Sequence, residues 1–310
     1  MKKENSPNNK KELGHAMHSV SNTKRGLFLS LILTGLFFVV ELVVGLKINS
    51  VAVIADAAHN FSAAAGIGIA LLATIFAMKP VSKYRTFGFL KIEMFAAWIN
   101  GALLLGMAYM IFRKGFINLL NPTPVEILPM IILSIIGLII GGIPAVLLFK
   151  KQKTDINARG AFWHVMETVL GSFAVLLAAL TIKFTGWVQA DAVFGMLLAP
   201  VLVIASWKIL KESTRELLDL TPKRINLSEI RNNIKKIKGV RNIHHVHVWN
   251  LTLEKTLFSA HVKIENHINH DAVLQKINSL LNKKYKIYFS TIQIEKKDYD
   301  YNEPKELDFH

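Results

Sequence analysis

Long apolar blocks separated by short polar connectors fill the first two-thirds of the chain, and the last third turns abruptly charged, with short alternating runs. Crossing a hydrocarbon layer of roughly 30 Å takes about 20 apolar residues in a helix. Six segments have that length: Gly26 to Leu46, Val51 to Met78, Ile92 to Phe112, Glu126 to Phe149, Ala161 to Ile182, and Asp191 to Ile209. The pattern predicts an all-α, six-helix membrane bundle with both termini on one side. The composition changes at Glu212, and the Thr221-Pro222 step predicts where the last long helix stops, because the residue before proline avoids helical backbone. The expected layout is an N-terminal cytosolic tail (1–25), a six-span domain (26–210), a cytosolic module (211–297) and a polar C-terminal tail (298–310).

Within the module, Leu227 to Lys238 and Asp271 to Lys284 have helical spacing, whereas Asn242 to Leu251, Thr256 to Glu265 and Lys286 to Glu295 alternate as strands do. The order α-β-β-α-β predicts a small α+β, ferredoxin-like sheet with helices on one face. Side chains alternate across a strand. Parity therefore assigns Val246, Val248, Phe258, Ala260, Val262, Ile264, Tyr288, Ile292 and Ile294 to the buried face. His245, His247, His261, Gln293 and Glu295 fall on the other face, and His244 points to the core.

Hydrophobic residues make up 52% of the 310, and mean hydropathy is +0.35, which fits a membrane protein. The net charge of +15 matters through its placement. Loops 79–91 and 150–160 carry Lys79, Lys83, Arg85, Lys91, Lys150, Lys151, Lys153 and Arg159, and the opposite loops carry only Lys47, Arg113, Lys114 and Lys183. Cytoplasmic loops hold the excess of Lys and Arg, so both termini are expected in the cytoplasm. No basic stripe is interleaved with stacking aromatics, so a nucleic-acid partner is not expected. There is no cysteine, which leaves nitrogen and oxygen as metal ligands. Residues 1–25 lack the apolar core of a secretory signal.

Two predicted spans hold a histidine with an acid three residues away: Asp56 with His59, and His164 with Glu167. That spacing puts each pair on one helix face, and ionisable groups at membrane depth face a bundle interior or a water-filled path. If the second and fifth spans pack together, two imidazoles and two carboxylates surround one divalent ion, the four N/O ligands that zinc accepts. Metal binding requires neutral imidazole and ionised carboxylate, so loading releases protons and acid ejects the ion. The same residues also suit hydrogen bonding between helices. Glu41 suits either a cation path or helix packing, Asp191 suits helix capping, and Asn100 suits an interhelical bond. No His-Glu-x-x-His string or nucleophile beside a base points to an enzyme.

The strings Val40-Glu41-Leu42-Val43, Asn49-Ser50-Val51, Ala55-Asp56-Ala57-Ala58-His59-Asn60, Arg85-Thr86-Phe87-Gly88 with Lys91-Ile92-Glu93, His164-Val165, Ala190-Asp191, and His245-Val246-His247-Val248-Trp249 resemble the cation diffusion facilitator family, in particular its bacterial zinc and cobalt exporters. The resemblance runs from about Lys24 to Glu295. It implies a homodimer of six-span protomers, with a transport site between the second and fifth spans that moves Zn2+ or similar ions out of the cytoplasm against protons. In the family pattern each transport histidine is followed four residues later by aspartate. Here those positions are Ala63 and Thr168.

At about 100° per residue, Asp56 lies on nearly the same side of its helix as Ala63, whereas Glu167 lies about 100° around the fifth helix from Thr168. Two readings follow. In one, the chain exports a divalent metal through a rearranged site of His59, His164, Asp56 and Glu167. In the other, it is a transport-impaired member that acts as a regulatory or structural partner and binds metal through its cytosolic module. There the family's metal site at the dimer interface implies His261, His245, His247 and Glu295, although a plain solvated sheet face also fits these residues. Imidazole ligands favour Zn2+ and Co2+, and carboxylates also accept Fe2+ or Mn2+. His15 and His18 read as solvated tail residues.

Overall fold

The structure, a computed structural model, describes Phe28 and residues 31–77, 82–153, 156–252 and 255–296. The tails expected at 1–25 and 298–310, with His15 and His18, and the side chain of His164 lie outside the described residues. Six long helices occupy the predicted spans: α1 (31–47), α2 (Val51–Ala77), α3 (Ile92–Leu120), α4 (Ile127–Lys151), α5 (Ile156–Thr185) and α6 (Ala190–Leu217). Among the described residues, Ile92–Leu120, Ile127–Lys150, Val165–Thr185 and Ala190–Leu217 are long and apolar enough to cross a membrane. At 27 residues, α2 extends about 40 Å. Then follow α7 (Leu227–Lys235), β1 (Val240–Thr252), β2 (Lys255–Ile264), α8 (His270–Tyr285) and β3 (Phe289–Glu295).

The chain divides into two compact units, one holding α1, α2, most of α3, α4, α5 and α6 up to Lys211, the other holding residues 82–95 and 212–296. In the first unit α2 is the central helix. Its Ala52, Ala55, Ala57, Ala58, Ala63 and Ala64 are buried, and small side chains are what let helix backbones approach closely in lipid. Ala52 and Val53 pack with Met130 and Leu133 of α4 and Val175, Ala178 and Ala179 of α5. On its other side Val51, Ala55 and Ala58 pack with Leu104, Ala108 and Ile111 of α3 and Ala199 and Leu202 of α6. A Cβ on Gly195 would stand 2.8 Å from the Val51 carbonyl carbon, so glycine sets the α2–α6 approach. Large apolar residues such as Val146, Leu147 and Ile204 point outward, as a lipid-facing surface requires.

Asp191 does cap a helix, but the helix is α2 and not its own. Its carboxylate accepts from the Ser50 hydroxyl at 2.5 Å and from the backbone N–H of Val51 at 2.6 Å and Ala52 at 3.2 Å. Asn100 reaches from α3 to the Ser62 hydroxyl of α2 at 3.4 Å. The last long helix stops at Leu217, just short of the predicted Thr221-Pro222 boundary. Helix α6 continues past Ile209 through Lys-Glu-Ser-Thr-Arg-Glu-Leu, in which Lys, Glu, Arg and Leu are good helix formers. It closes where Asp219 turns left-handed (φ 54°) and the Leu220 N–H reaches back to the Arg215 carbonyl at 3.0 Å, a Schellman-type stop.

The second unit has the predicted α-β-β-α-β order. Its sheet runs β1-β2-β3, with β1 and β2 antiparallel and β2 and β3 parallel. Ile230 and Ile234 of α7 and Val273, Ile277, Leu281 and Tyr285 of α8 share one core with Val246, Val248, Phe258, Ala260, Val262 and Ile264. Asn226 and Asn269 cap the two helices through their side chains. Parity fails at two places. Tyr288, expected inside, is 62% exposed, while Ile287 is buried. Lys286 ends α8 in the left-handed region and the Ile287 N–H bonds to the Leu281 carbonyl at 3.0 Å, so the apolar residue after the cap is pulled into the core. The second failure is at His244.

Candidate metal sites

The second and fifth spans do pack together, and they meet at the predicted acid of α2. Asp56 is 2% exposed and its Oδ2 accepts a 2.8 Å hydrogen bond from the Ser172 hydroxyl of α5. Gly171 faces the same carboxylate so closely that any Cβ there would collide with Oδ1. One turn on, His59 Nε2 lies 3.4 Å from the Thr168 hydroxyl, a long contact for a hydrogen bond. Thr168, standing where the family pattern has aspartate, therefore faces the α2 histidine. Glu167, the next residue back, is on the exposed side of α5. The structure thus brings Asp56 and His59 together at the α2–α5 contact; it does not bring Glu167 there in this conformation. His164 lies in α5, its side chain outside the described residues.

Glu41, which suits either a cation path or helix packing, has a definite place between α1 and α2. It is 1% exposed, accepts from the Asn60 amide at 2.7 Å, and lies within hydrogen-bonding reach of Asp56. Ser172 was missed. The available signal was its position four residues after Thr168, on the same stripe of α5.

On the sheet of the second unit, one ligand atom from each of His244, His261 and Glu295 lies within 4.8 Å of the others. His261 Nδ1 is 2.9 Å from Glu295 Oε1, and His244 Nε2 is 3.4 Å from Glu295 Oε2. Glu295 is opposite Lys263 on β2, hence the diagonal neighbour of His261, and His261 is directly opposite His244 on β1. The expected members fare differently. His245 places its ring 5.0 Å and 5.2 Å from those of His244 and His261, beside the cluster, whereas His247 is exposed and pairs with Ser259.

His244 takes the place that parity denied it because β1 contains a bulge. His244 pairs with His261 but His247 with Ser259, three residues against two, and His245 sits at φ 47°. An extra residue in one strand reverses the alternation beyond it, so Ile243 and Val246 both face the core while His244 faces out. No glycine marks the bulge in the sequence.

This donor set suits a divalent ion. It offers two imidazoles and a carboxylate, Glu295 is 2% exposed, and the buried Nδ1 of His244 has no hydrogen-bond partner. Partial burial pushes the His244 imidazole below its usual value, with the Glu295 carboxylate opposing, so the ring is neutral and ready to ligate at pH 7. Two consequences can be measured by zinc titration against a competing chelator. His261→Ala weakens zinc binding by this cluster by about 10- to 100-fold or more, since even outer-shell losses reach that range. Binding by the intact cluster holds above about pH 6.5 and falls as the pH drops below the usual imidazole range.

Residues 27–218 match the family model described as the cation efflux transmembrane domain, and residues 222–297 match that of the cation efflux protein cytoplasmic domain. The metal cation efflux system protein CzcD of Cupriavidus metallidurans is 34% identical over 91% of this chain and 90% of its own. A solved structure of the metal-bound C-terminal domain of that transporter matches 23% of this chain and 99% of its own at 32% identity, with a TM-score of 0.22. The zinc transporter ZitB of Escherichia coli is 34% identical over 88% of both chains. The cadmium, cobalt and zinc/H(+)-K(+) antiporter of Bacillus subtilis is 32% identical over 91% of this chain and 92% of its own. With both of its units matched and relatives aligned along nearly its whole length, the chain belongs to the cation efflux family, the cation diffusion facilitators.

Proposed function

We propose that this multi-pass membrane protein exports a divalent cation, zinc foremost, from the cytoplasm in exchange for protons by alternating access. The observation that carries the reading is Asp56: a carboxylate sealed at the α2–α5 contact, its Oδ1 without a hydrogen-bond partner, one turn from His59. His59 and Asp56 are the cargo ligands from α2 and His164 is that from α5. Glu167, exposed here, joins in a conformation in which α5 has turned. Imidazole and carboxylate bind metal only when deprotonated, which makes protons the natural counter-species. The relatives' names support both halves, one a zinc transporter and another an antiporter that includes zinc and protons.

The excess of basic residues on the 79–91 and 150–160 loops supports cytoplasmic termini, and relatives from bacteria support a cell-membrane location. The cytosolic module supports a homodimer, since the domain family it matches is named for dimerisation. Zinc held by His244, His261 and Glu295 would draw two modules together. The second reading, a transport-impaired partner that binds metal only through this cluster, draws on Ala63 and Thr168. Proteoliposomes under an imposed pH gradient separate the two. Export predicts zinc flux that follows the gradient, and folded protein that moves none of Zn2+, Co2+, Fe2+ or Mn2+ leaves the partner reading standing.

A further inference from the structure

Glu41 on α1 and Asp56 on α2 are two acids within hydrogen-bonding reach of each other, 1% and 2% exposed. Their described partners are each other, the Asn60 amide and the Ser172 hydroxyl, and no cationic side chain is among them. Carboxylates in a membrane interior are paired with positive charge or neutralised, because isolated burial is too costly. Asp56 also keeps a buried oxygen, Oδ1, with no hydrogen-bond partner. Asn60 is the geometric link. It is adjacent to His59 and one turn after Asp56, and its bond to Glu41 brings the α1 carboxylate to the turn of α2 that bears both predicted ligands.

We propose that Glu41 is a cargo ligand: from α1 it supplies the carboxylate that Ala63 on α2 and Thr168 on α5 do not, so that Glu41, Asp56 and His59 hold the cation with His164. This rests on the export reading above and puts Glu41, from a third helix, in the place that reading gives to Glu167. Two carboxylates balance the 2+ charge of the ion, and two imidazoles complete the four N/O donors that zinc takes. The alternative is that Glu41 only braces α1 against α2 through Asn60.

A compensation experiment on the full chain separates ligand from brace. Glu41→Gln keeps the size of the side chain and an oxygen for Asn60 but removes the charge. Zinc binding is titrated in detergent on a His261→Ala background, which weakens the cytosolic cluster, and zinc flux is measured in proteoliposomes. Glu41→Gln is expected to weaken membrane-site binding, and to raise the KM for flux, by about 100-fold or more, above the roughly 10- to 100-fold that an outer-shell partner commands. Adding Ala63→Asp, which returns a carboxylate one turn after His59, is expected to recover binding to within about threefold of the parent.

Unchanged binding in Glu41→Gln overturns the proposal. So does a loss that neither Ala63→Asp nor Thr168→Asp recovers, because a brace is not replaced by a carboxylate elsewhere. Zinc that is bound but not moved by the parent chain overturns the export reading alone, and the binding comparison still decides Glu41. A parent chain that binds no zinc outside the cytosolic cluster overturns both.

Discussion

Asp56→Asn abolishes pH-driven zinc flux, by about 100-fold or more, while the protein still folds and elutes as the parent does. A 100-fold loss corresponds to about 2.7 kcal/mol, modest for removing a charged ligand from a low-dielectric site, so the figure is a lower bound. Asparagine fills the same space between Gly171 and Ser172, and its amide oxygen still accepts the Ser172 hydroxyl; what it lacks is the charge that balances the ion. His59→Ala gives the same loss by removing a nitrogen ligand. Thr168→Val is the contrast. The threonine hydroxyl stands 3.4 Å from His59 Nε2, too long for a strong bond, so flux changes by about threefold or less. Full flux in Asp56→Asn would remove the carboxylate from the transport path and with it the α2 site.

Much of this architecture is legible in the sequence because it rests on periodicity and length. Six long apolar blocks can only satisfy their backbone as helices in lipid, and the module's α-β-β-α-β order follows from runs whose periods differ. What could not be read depends on single backbone torsions. The bulge at His245 and the left-handed Lys286 each reverse a parity argument, and neither is glycine, so nothing in composition announces them. His244 consequently stands on the face opposite to the one that parity gives it, and His247, on the expected face, is paired with Ser259. Helix α6 runs on past its apolar stretch to Leu217, because leaving the apolar layer removes no hydrogen bond from a helix.

The intramembrane acids show the same division. Their presence in apolar blocks marked them as functional, but their partners were not legible. Angular bookkeeping on α5 separates Glu167 from Thr168, and the structure has Thr168 at His59 and Glu167 on the exposed side. No argument within one helix could have found that Glu41 on α1 meets Asp56, because that contact depends on how three helices pack. The alanine-rich face of α2 was the only hint, since a helix lined with small residues is one that others approach.

Asp191→Ala lowers the stability of the membrane unit by about 3 kcal/mol or more, read as a fall in the thermal unfolding midpoint in detergent. Asp191 is 2% exposed and accepts three hydrogen bonds at the start of α2. Removing the carboxylate strands the Ser50 hydroxyl and two helix-end N–H groups where water is scarce, at about 1–3 kcal/mol each, less whatever water recovers. Asp191→Asn costs less, since an amide oxygen still accepts, but it loses the negative charge that complements the helix N-terminus and the nearby Lys114. The effect also reaches transport. Asp56 and His59 lie one and two turns beyond the capped end of α2, and Gly195 of α6 packs on that same end. Freeing the end lets α2 shift against α6, so the surviving Asp191→Asn protein shows a raised KM for zinc. A midpoint unchanged in Asp191→Ala would mean that the N-terminus of α2 is held by packing alone, and that the anchor of the site lies elsewhere.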